Sequence, residues 1–294
     1  MSKKKQSSET ATGVAFVLPN FIGFLAFVSL PVIASLVLAF FRWDLLTAPK
    51  FTGLSNFVDL LKDESFGNAL FNTAFLMLGI PLSMAASLFL AVMVNKAIRG
   101  VVVYRTLYFL PSICSGIGLL LLWRWIYNED FGLLNVLLSY VGVKGPDWLG
   151  SVAWAKPALI FMGVWTAMGG PSMILYLAAL HGVDPTLYEA AEMDGANAWR
   201  RFRHITWPMI SPTTFFIFIM SIIGGFQGNF DSVYVMTRGG PAGSTVILSY
   251  HIYNHAYVLY NMGYAAAMAW VLFIIVFAIT LLTWRYGGRR VHYF

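Results

Sequence analysis

The sequence predicts an all-α, polytopic membrane protein with six transmembrane helices. Apolar residues make up 59% of the 294-residue chain and charged residues only 11%, whereas charged residues form about a quarter of an ordinary soluble domain. Six apolar segments are long enough to cross a bilayer, for which about 20 residues suffice. One long polar and charged passage, the elbow (residues 184–212), separates the fourth apolar segment from the fifth.

Taken in order, the segments predict five core helices preceded by an additional first helix. The first segment exceeds the apolar region of a signal peptide, about 7–15 residues, so we interpret it as a retained anchor. Residues 41–66 carry Asp44, Asp59, Asp63 and Glu64 and are expected to face water. The predicted spans are 13–40, 69–94, 103–125, 157–180, 213–235 and 263–284. The predicted divisions are a tail (1–12), the first helix with an external segment (13–64), a five-helix core (65–285) and a second tail (286–294).

The elbow itself predicts two short helices that meet at a glycine. Asp184 and Pro185 favour a helix start, because an Asp side chain accepts hydrogen bonds from free amides and proline fits the first turn. Gly195 favours the end of this helix, since glycine adopts the left-handed conformation of a C-terminal cap. A second helix is expected over 198–205, before Pro208 and Pro212 break it. Such an elbow is expected to face water or a soluble partner rather than lipid.

Two apolar segments contain residues that a simple lipid-facing helix would avoid. In the fourth, Gly170 and Ser172 belong to a Gly-Gly-Pro-Ser break, which frees backbone groups that protein or cavity water must satisfy. In the fifth, Gln227, Asn229 and Asp231 are costly at membrane depth unless they face protein or a wet cavity. Helix packing and the lining of a substrate path both remain open as interpretations. Aromatic faces beside such a path would come from Phe226, Phe230 and Tyr234.

The distribution of Lys and Arg predicts the orientation in the membrane. With six spans, both tails and the elbow lie on one side, and that side holds 12 of the 19 Lys and Arg residues. These residues lie in short segments next to the span ends, where positive charge marks the cytoplasmic side. The tails and the elbow are therefore predicted to be cytoplasmic. The net charge of +6 follows this pattern and requires no nucleic acid to explain it.

Residues spaced along the elbow form a motif. They are Glu189-Ala190-Ala191, Asp194-Gly195-Ala196, Phe202, Ile205, Pro208 and Pro212. This pattern resembles the EAA loop of the permease subunits of binding-protein-dependent ABC transporters, although Trp207 stands where those permeases usually have Leu.

A later segment resembles the loop after the fifth span in sugar permeases of the maltose type. It consists of Arg238-Gly239-Gly240-Pro241 with Thr245, Ile252 and Tyr253.

The resemblance extends over nearly the whole chain and implies the type I architecture of ABC importer permeases, with uptake of a sugar or related polyol. It implies contact with an ATPase subunit through Glu189, Ala190, Ala191, Asp194 and Gly195, and a substrate path at Gly170, Ser172, Gln227, Asn229 and Tyr234. The implied partners are a homologous second permease, two ATP-binding subunits and an extracytoplasmic solute-binding protein. The implied location is a bacterial or archaeal cytoplasmic membrane. Which sugar, polyol or sugar phosphate is carried stays open.

Other classes of function fit the sequence less well. The alternative is a secondary transporter driven by an ion gradient. Such a transporter would need acidic relay residues within the membrane and inverted repeats, and only Asp231 is a candidate relay.

The sequence contains neither a phosphate-binding glycine-rich loop nor a nucleophile elbow, so the chain is predicted not to be an enzyme and to need no cofactor. His251 and His255 are not accompanied by a nearby carboxylate or cysteine in the sequence, so no metal site is predicted. Membrane-interface positions are expected for Trp123, Trp125, Trp148 and Trp154.

Overall fold

The computed structural model describes residues 3–95, 100–114 and 116–287, and most of them are helical. The α-helices are α1 (Lys3–Phe24), α2 (Leu30–Leu38), α3 (Ser55–Lys62), α4 (Glu64–Leu76), α5 (Gly79–Val94), α6 (Val101–Ile113), α7 (Gly116–Ile126), α8 (Leu133–Tyr140), α9 (Val152–Met168), α10 (Pro171–His181), α11 (Pro185–Met193), α12 (Ala198–Arg201), α13 (Trp207–Met209), α14 (Ser211–Gln227), α15 (Phe230–Ser232), α16 (Leu248–Tyr253) and α17 (Met262–Gly287). π-Helical turns occupy Leu25–Ser29, Phe202–Thr206, Val233–Thr237 and Asn254–Val258. Two short antiparallel strands, β1 (Phe41–Arg42) and β2 (Lys50–Phe51), form a hairpin.

The lengths of the helices agree with six membrane crossings. Three helical stretches are long and apolar enough to cross alone, and they are Thr12–Leu38, Glu64–Val94 and Met262–Arg285. Three further pairs qualify only when their two halves are taken together. These pairs bend by 97° between α6 and α7, by 44° between α9 and α10, and by 65° between Ala198–Met209 and Ser211–Gln227. Counting each bent pair as one span gives the six that the sequence predicts.

Several predicted boundaries were wrong. The first span begins at Thr12, next to the predicted residue 13, but the second begins at Glu64 rather than at residue 69. The second helix of the elbow continues past residue 205 to Met209, through the π-helical turn Phe202–Thr206, and Pro208 does not break it. The fifth span breaks after Gln227 instead of continuing to residue 235. Some residues in the orientation argument lie outside the described part of the chain, namely Lys96, Arg99, Arg289 and Arg290, and so does the second tail from residue 288.

The chain forms two compact units, and the first consists of the residues up to Asp63 together with Ile252–Val271. Its buried Asn56 donates hydrogen bonds to the carbonyl oxygens of Ala39 (2.8 Å) and Phe41 (2.9 Å), which attaches α3 to the turn after α2. From Thr12 to Leu38 the apolar side chains are exposed on all sides of the helix. A helix that is apolar all round requires lipid or other helices around it.

The second unit comprises Glu64–His251 and the residues from Leu272 onward, and it contains the candidate site. Its helices α5, α9, α10 and α14 pack against one another around buried apolar side chains. A second buried cluster centres on Trp123, which is only 4% exposed and packs edge-on against Phe161 and Trp165. The indole of Trp123 therefore fills a helix–helix contact, and its position at a membrane interface stays a prediction.

Candidate coupling elbow and substrate path

The first helix of the elbow, α11, is closed at both ends by its own residues. Asp184 accepts a hydrogen bond from the backbone N–H of Thr186 (2.9 Å), and this bond lowers the pKa of the Asp184 carboxyl group. At the other end Gly195 has a φ of +74°. The N–H groups of Gly195 and of the next residue donate to carbonyls in the last turn (3.0 and 2.8 Å), as in a Schellman motif. The predicted start at Asp184 and the predicted end at Gly195 are confirmed.

Side-chain contacts then connect α11 to the second half of the elbow. Arg201 Nη1 lies 3.1 Å from Glu192 Oε2. The hydroxyl of Tyr188 lies 2.9 Å from the buried hydroxyl of Thr206. Asn197 caps α12 by accepting a hydrogen bond (2.9 Å) from the N–H group three residues later. The elbow is therefore a preformed unit that needs no partner to hold its shape.

The outer surface of the elbow remains open. The coupling residues predicted from the sequence lie here: Glu189, Ala190, Asp194 and Gly195 are exposed and Ala191 is half-buried. The Glu189 carboxylate makes no hydrogen bond or ion pair with any of the described residues. Sequence reasoning missed Met193 and Trp199, which are 90% and 66% exposed. Their large apolar side chains beside small residues and an unpaired carboxylate form a surface suited to a protein partner.

The fifth span breaks where its polar residues occur. Helix α14 ends at Gln227, and Asn229 has a φ of +64°, a left-handed conformation that Asn adopts more readily than most residues other than glycine. The side chains of Gln227 and Asn229 are exposed. Neither amide makes a hydrogen bond with a residue in the described part of the chain. The break therefore presents two amides with their hydrogen-bonding capacity unused.

Two cavities border this break. One, of about 270 Å³, lies between α4, α5, α9 and α14 and is lined by Ser83, Ser221 and Asn229 among apolar side chains. The other, of about 370 Å³, lies between α7, α9 and the break and is lined by Gln227, Asn229 and Asp231. Asn229 faces both cavities. A few convergent polar groups on apolar walls are typical of sites for small polar molecules.

The aromatic residues predicted beside the path have different surroundings. Phe226 is buried, so its face is not available to a ligand. Tyr234 is exposed and stacks on Phe230 with ring centroids 5.5 Å apart, and Tyr250 packs against both rings. Tyr234 lines neither cavity, whereas Phe230 lines the larger one. A direct part for Tyr234 in the path stays a prediction.

The break in the fourth span lies at a helix contact. Gly170 is buried between α9 and α10, and Ser172 is half-buried; neither lines the two cavities. At the preceding Gly169 a Cβ atom would clash with the carbonyl oxygen of Tyr108, so the glycine allows α6 to approach α9 closely. This geometry favours the packing interpretation of the break. A part for Gly170 and Ser172 in the substrate path stays a prediction.

One expectation about the histidines needs correction. Within the first unit, a carboxylate oxygen of Asp63 lies within 4.8 Å of a ring nitrogen of His255. The sequence gave no sign of this carboxylate, because it is far away along the chain. Asp63 also accepts a hydrogen bond from the hydroxyl of Tyr264 (2.7 Å).

The family of the chain follows from comparison with known proteins. The model of a family described as binding-protein-dependent transport system inner membrane component matches residues 79–286. The chain belongs to this family. Its members are transport components rather than enzymes, and they work with a separate binding protein. The ion-gradient alternative is thereby excluded, and the predicted ABC importer permease is confirmed.

Individual relatives agree with this family over nearly their full length. A probable ABC transporter permease of Bacillus subtilis, YesP, is 39% identical to the chain, with 99% of this chain and 96% of the relative covered. The lactose transport permease LacF of Rhizobium radiobacter is 36% identical over 95% of this chain and 94% of its own. The permease also matches a solved structure of a bacterial alginate ABC transporter in complex with a periplasmic protein bound to an alginate pentasaccharide. That match has a TM-score of 0.86 and 26% identity, and it covers 97% of this chain and 96% of the other.

Proposed function

We propose that this permease forms half of the transmembrane pathway for a sugar or related polyol, and that ATP hydrolysis in separate subunits drives transport through the elbow. Its partners are a homologous second permease, two ATP-binding subunits and an extracytoplasmic solute-binding protein. The observation that carries the coupling role is the preformed elbow. Its outer surface combines Glu189, which is unpaired among the described residues, with exposed apolar side chains.

The chemistry of this surface indicates how the ATPase subunit would bind. Exposed Met193 and Trp199 offer apolar area for a groove, and Ala190 and Ala191 allow a partner backbone to approach closely. A carboxylate at Glu189 matches an arginine of the partner, which can donate two parallel hydrogen bonds. The elbow would then move with the ATPase as one body, because its own hydrogen bonds fix its two halves.

The path for the substrate would follow the break after α14. Sugars and polyols are rich in hydroxyl groups, and the unused amides of Gln227 and Asn229 both donate and accept hydrogen bonds. Names of relatives support the substrate class, since LacF is a lactose permease and the structural neighbour belongs to an alginate transporter. The binding-protein partner is supported in the same way by the periplasmic protein of that neighbour.

Replacement of Glu189 tests the coupling role. Truncating one partner of a charge pair within an interface costs about 2–5 kcal/mol. We expect Glu189→Ala, expressed with its ATPase subunits, to reach the membrane but to lose uptake. Glu129→Ala is the matched control, because Glu129 is an exposed carboxylate in the predicted external segment. Normal uptake by Glu189→Ala would contradict the proposal.

The proposed orientation has its own test. Single cysteines replace Met193 and Leu46, which are 90% and 88% exposed, in a chain whose native Cys114 is changed to Ala. A thiol reagent that cannot cross the membrane should label position 46 from outside. It should label position 193 only after the membrane is opened. The reverse pattern would place the elbow outside and exclude its contact with a cytoplasmic ATPase.

A further inference from the structure

Lys156, near the start of α9, carries a positive charge that has no counter-charge among the described residues. The ammonium group of Lys156 donates a hydrogen bond to Oδ1 of Asn72 (3.0 Å). It also lies over the rings of Phe71 and Phe75, 5.1 and 4.9 Å from their centroids. The side chain is half-buried, and no carboxylate in the described part of the chain lies within 4.0 Å of it. The charge of Lys156 is therefore stabilised only by an amide and two aromatic faces.

The side-chain amide of Asn72, which accepts the hydrogen bond from Lys156, also donates hydrogen bonds to a loop. Asn72 is buried, and its Nδ2 donates hydrogen bonds to the carbonyl oxygens of Gly243 (3.1 Å) and Val246 (3.0 Å). The amide thus connects α4 to the loop before α16, with its oxygen directed to Lys156. A neutral donor at residue 156 would complete this network equally well. Among the described residues, the positive charge itself is used only in the contacts with the rings of Phe71 and Phe75.

The same lysine borders a cavity of about 580 Å³. Polar groups on its wall come from Ser65, Asn68 and Ser244, and the Ser244 hydroxyl is buried without a hydrogen-bond partner among the described residues. Removing a charge from water is costly unless an opposite charge accompanies it. Contacts with aromatic rings offset only part of this cost. Hydroxyl and amide donors around an uncompensated cation are the chemistry that binds an anion.

The position of the cavity along the spans gives its side of the membrane. Helices α9 and α10 form one bent span, and the elbow follows the end of α10. Lys156 lies in the second turn of α9, at the other end of this span. Given the cytoplasmic elbow of the proposed function, the cavity opens toward the outside. It would thus meet molecules that approach from the binding-protein side.

We propose that the cavity at Lys156 is an anion-binding site that takes a carboxylate or phosphate group at the outer end of the permease. Two sources carry this chemistry: an acidic substituent on the transported sugar or polyol, and the headgroup of an anionic lipid. The first source rests on the proposed function and would make the cargo a sugar acid or a sugar phosphate. In either case Lys156 contributes the charge, and the hydroxyl and amide groups contribute hydrogen bonds.

The test measures anion binding to the assembled transporter in nanodiscs of neutral phosphatidylcholine. Inorganic phosphate is titrated at constant ionic strength set with chloride. We expect wild type and Lys156→Arg to bind phosphate, and Lys156→Gln, which keeps a donor for Asn72, to bind at least tenfold more weakly. Lys144→Gln is the matched control, since Lys144 is an exposed lysine of the same predicted external side. Equal phosphate binding by wild type and Lys156→Gln, or no binding by either, would overturn the proposal.

A second arm separates the two sources. The titration is repeated in nanodiscs that contain phosphatidylglycerol. Competition by this lipid at wild type but not at Lys156→Gln identifies the headgroup as a ligand, whereas unchanged phosphate affinity identifies a soluble anion. Binding measured in this way requires no ATP hydrolysis. If Glu189→Ala retained uptake, the coupling role would be contradicted, but the proposal of an anion site would not be affected.

Discussion

The elbow and the break in the fifth span both turn the chain with a left-handed residue, Gly195 at φ +74° and Asn229 at φ +64°. In the elbow, the polar groups near the turn are bound internally, by caps, by a Schellman motif and by the contact of Tyr188 with Thr206. At the break, the amide of Asn229 is left without an internal partner among the described residues. A closed turn is suited to a rigid surface, whereas an open turn leaves hydrogen-bonding groups available.

The largest expected effect concerns Gly195, on which the closed turn depends. A Cβ atom there would meet no other atom within 4 Å, so conformation rather than space decides the outcome. A β-branched residue in a left-handed conformation is strained by about 1–3 kcal/mol. We expect Gly195→Val to abolish uptake and Gly195→Asn, which accepts this conformation, to retain most of it. Uptake at wild-type level in Gly195→Val would show that the turn need not be closed.

The next effect concerns the open turn at Asn229. A lost hydrogen bond to a ligand costs roughly 1–3 kcal/mol, so uptake by Asn229→Leu should fall about tenfold or more. Gln227→Leu should act in the same direction. The sharper variant is Asn229→Gly, which keeps the left-handed backbone but removes the amide. Initial uptake rates should fall in both variants at position 229. A normal rate in Asn229→Gly would mean that only the backbone conformation of the break matters.

The accessibility of position 229 to water-soluble reagents provides an independent measurement. Cysteine in place of Asn229 should react with water-soluble thiol reagents in at least one state of the transport cycle, since the side chain borders two cavities. The reaction is followed in resting and ATP-bound complexes that lack Cys114. If the cysteine at position 229 does not react in either state, Asn229 serves only in helix packing.

A smaller effect is expected from the hydroxyl pair that closes the elbow. Tyr188→Phe leaves the buried Thr206 hydroxyl without its partner, which costs about 1–3 kcal/mol. The thermal midpoint of the purified permease should fall by a measurable amount. Adding Thr206→Val should restore part of this loss, because both partners are then apolar. Additive losses in the double variant would indicate that the two hydroxyl groups do not interact.

The smallest effect is expected from the ion pair between Glu192 and Arg201. The Glu192 side chain is 72% exposed, and pairs of this kind contribute about 0–1 kcal/mol. Uptake by Glu192→Gln should therefore equal that of wild type within about twofold, in contrast to the loss expected for Glu189→Ala. A large loss in Glu192→Gln would show that the ion pair, rather than the contact of Tyr188 with Thr206, holds the two halves of the elbow together.

The sequence by itself determined the features that depend on composition and near neighbours. Apolar length predicted six crossings, which the structure supplies as three single helices and three bent pairs. Asp184 and Gly195 predicted the ends of α11, because a cap is made of hydrogen bonds between residues only a few positions apart. The spacing of residues in the elbow predicted the family for the same reason, since all residues of this motif lie within one short stretch of sequence.

Tertiary structure decided what depends on distant segments. The burial of Trp123 between helices and the approach of α6 to Gly169 bring together residues that no local pattern connects. Asn229 was a polar residue in an apolar run, and only the ending of α14 revealed its left-handed backbone and its two cavities. Lys156 and Asn72 are 84 positions apart. Their contact depends on how α4, α9 and the loop before α16 pack, because hydrogen bonds and charges act across space at a few ångströms, whatever the separation along the chain.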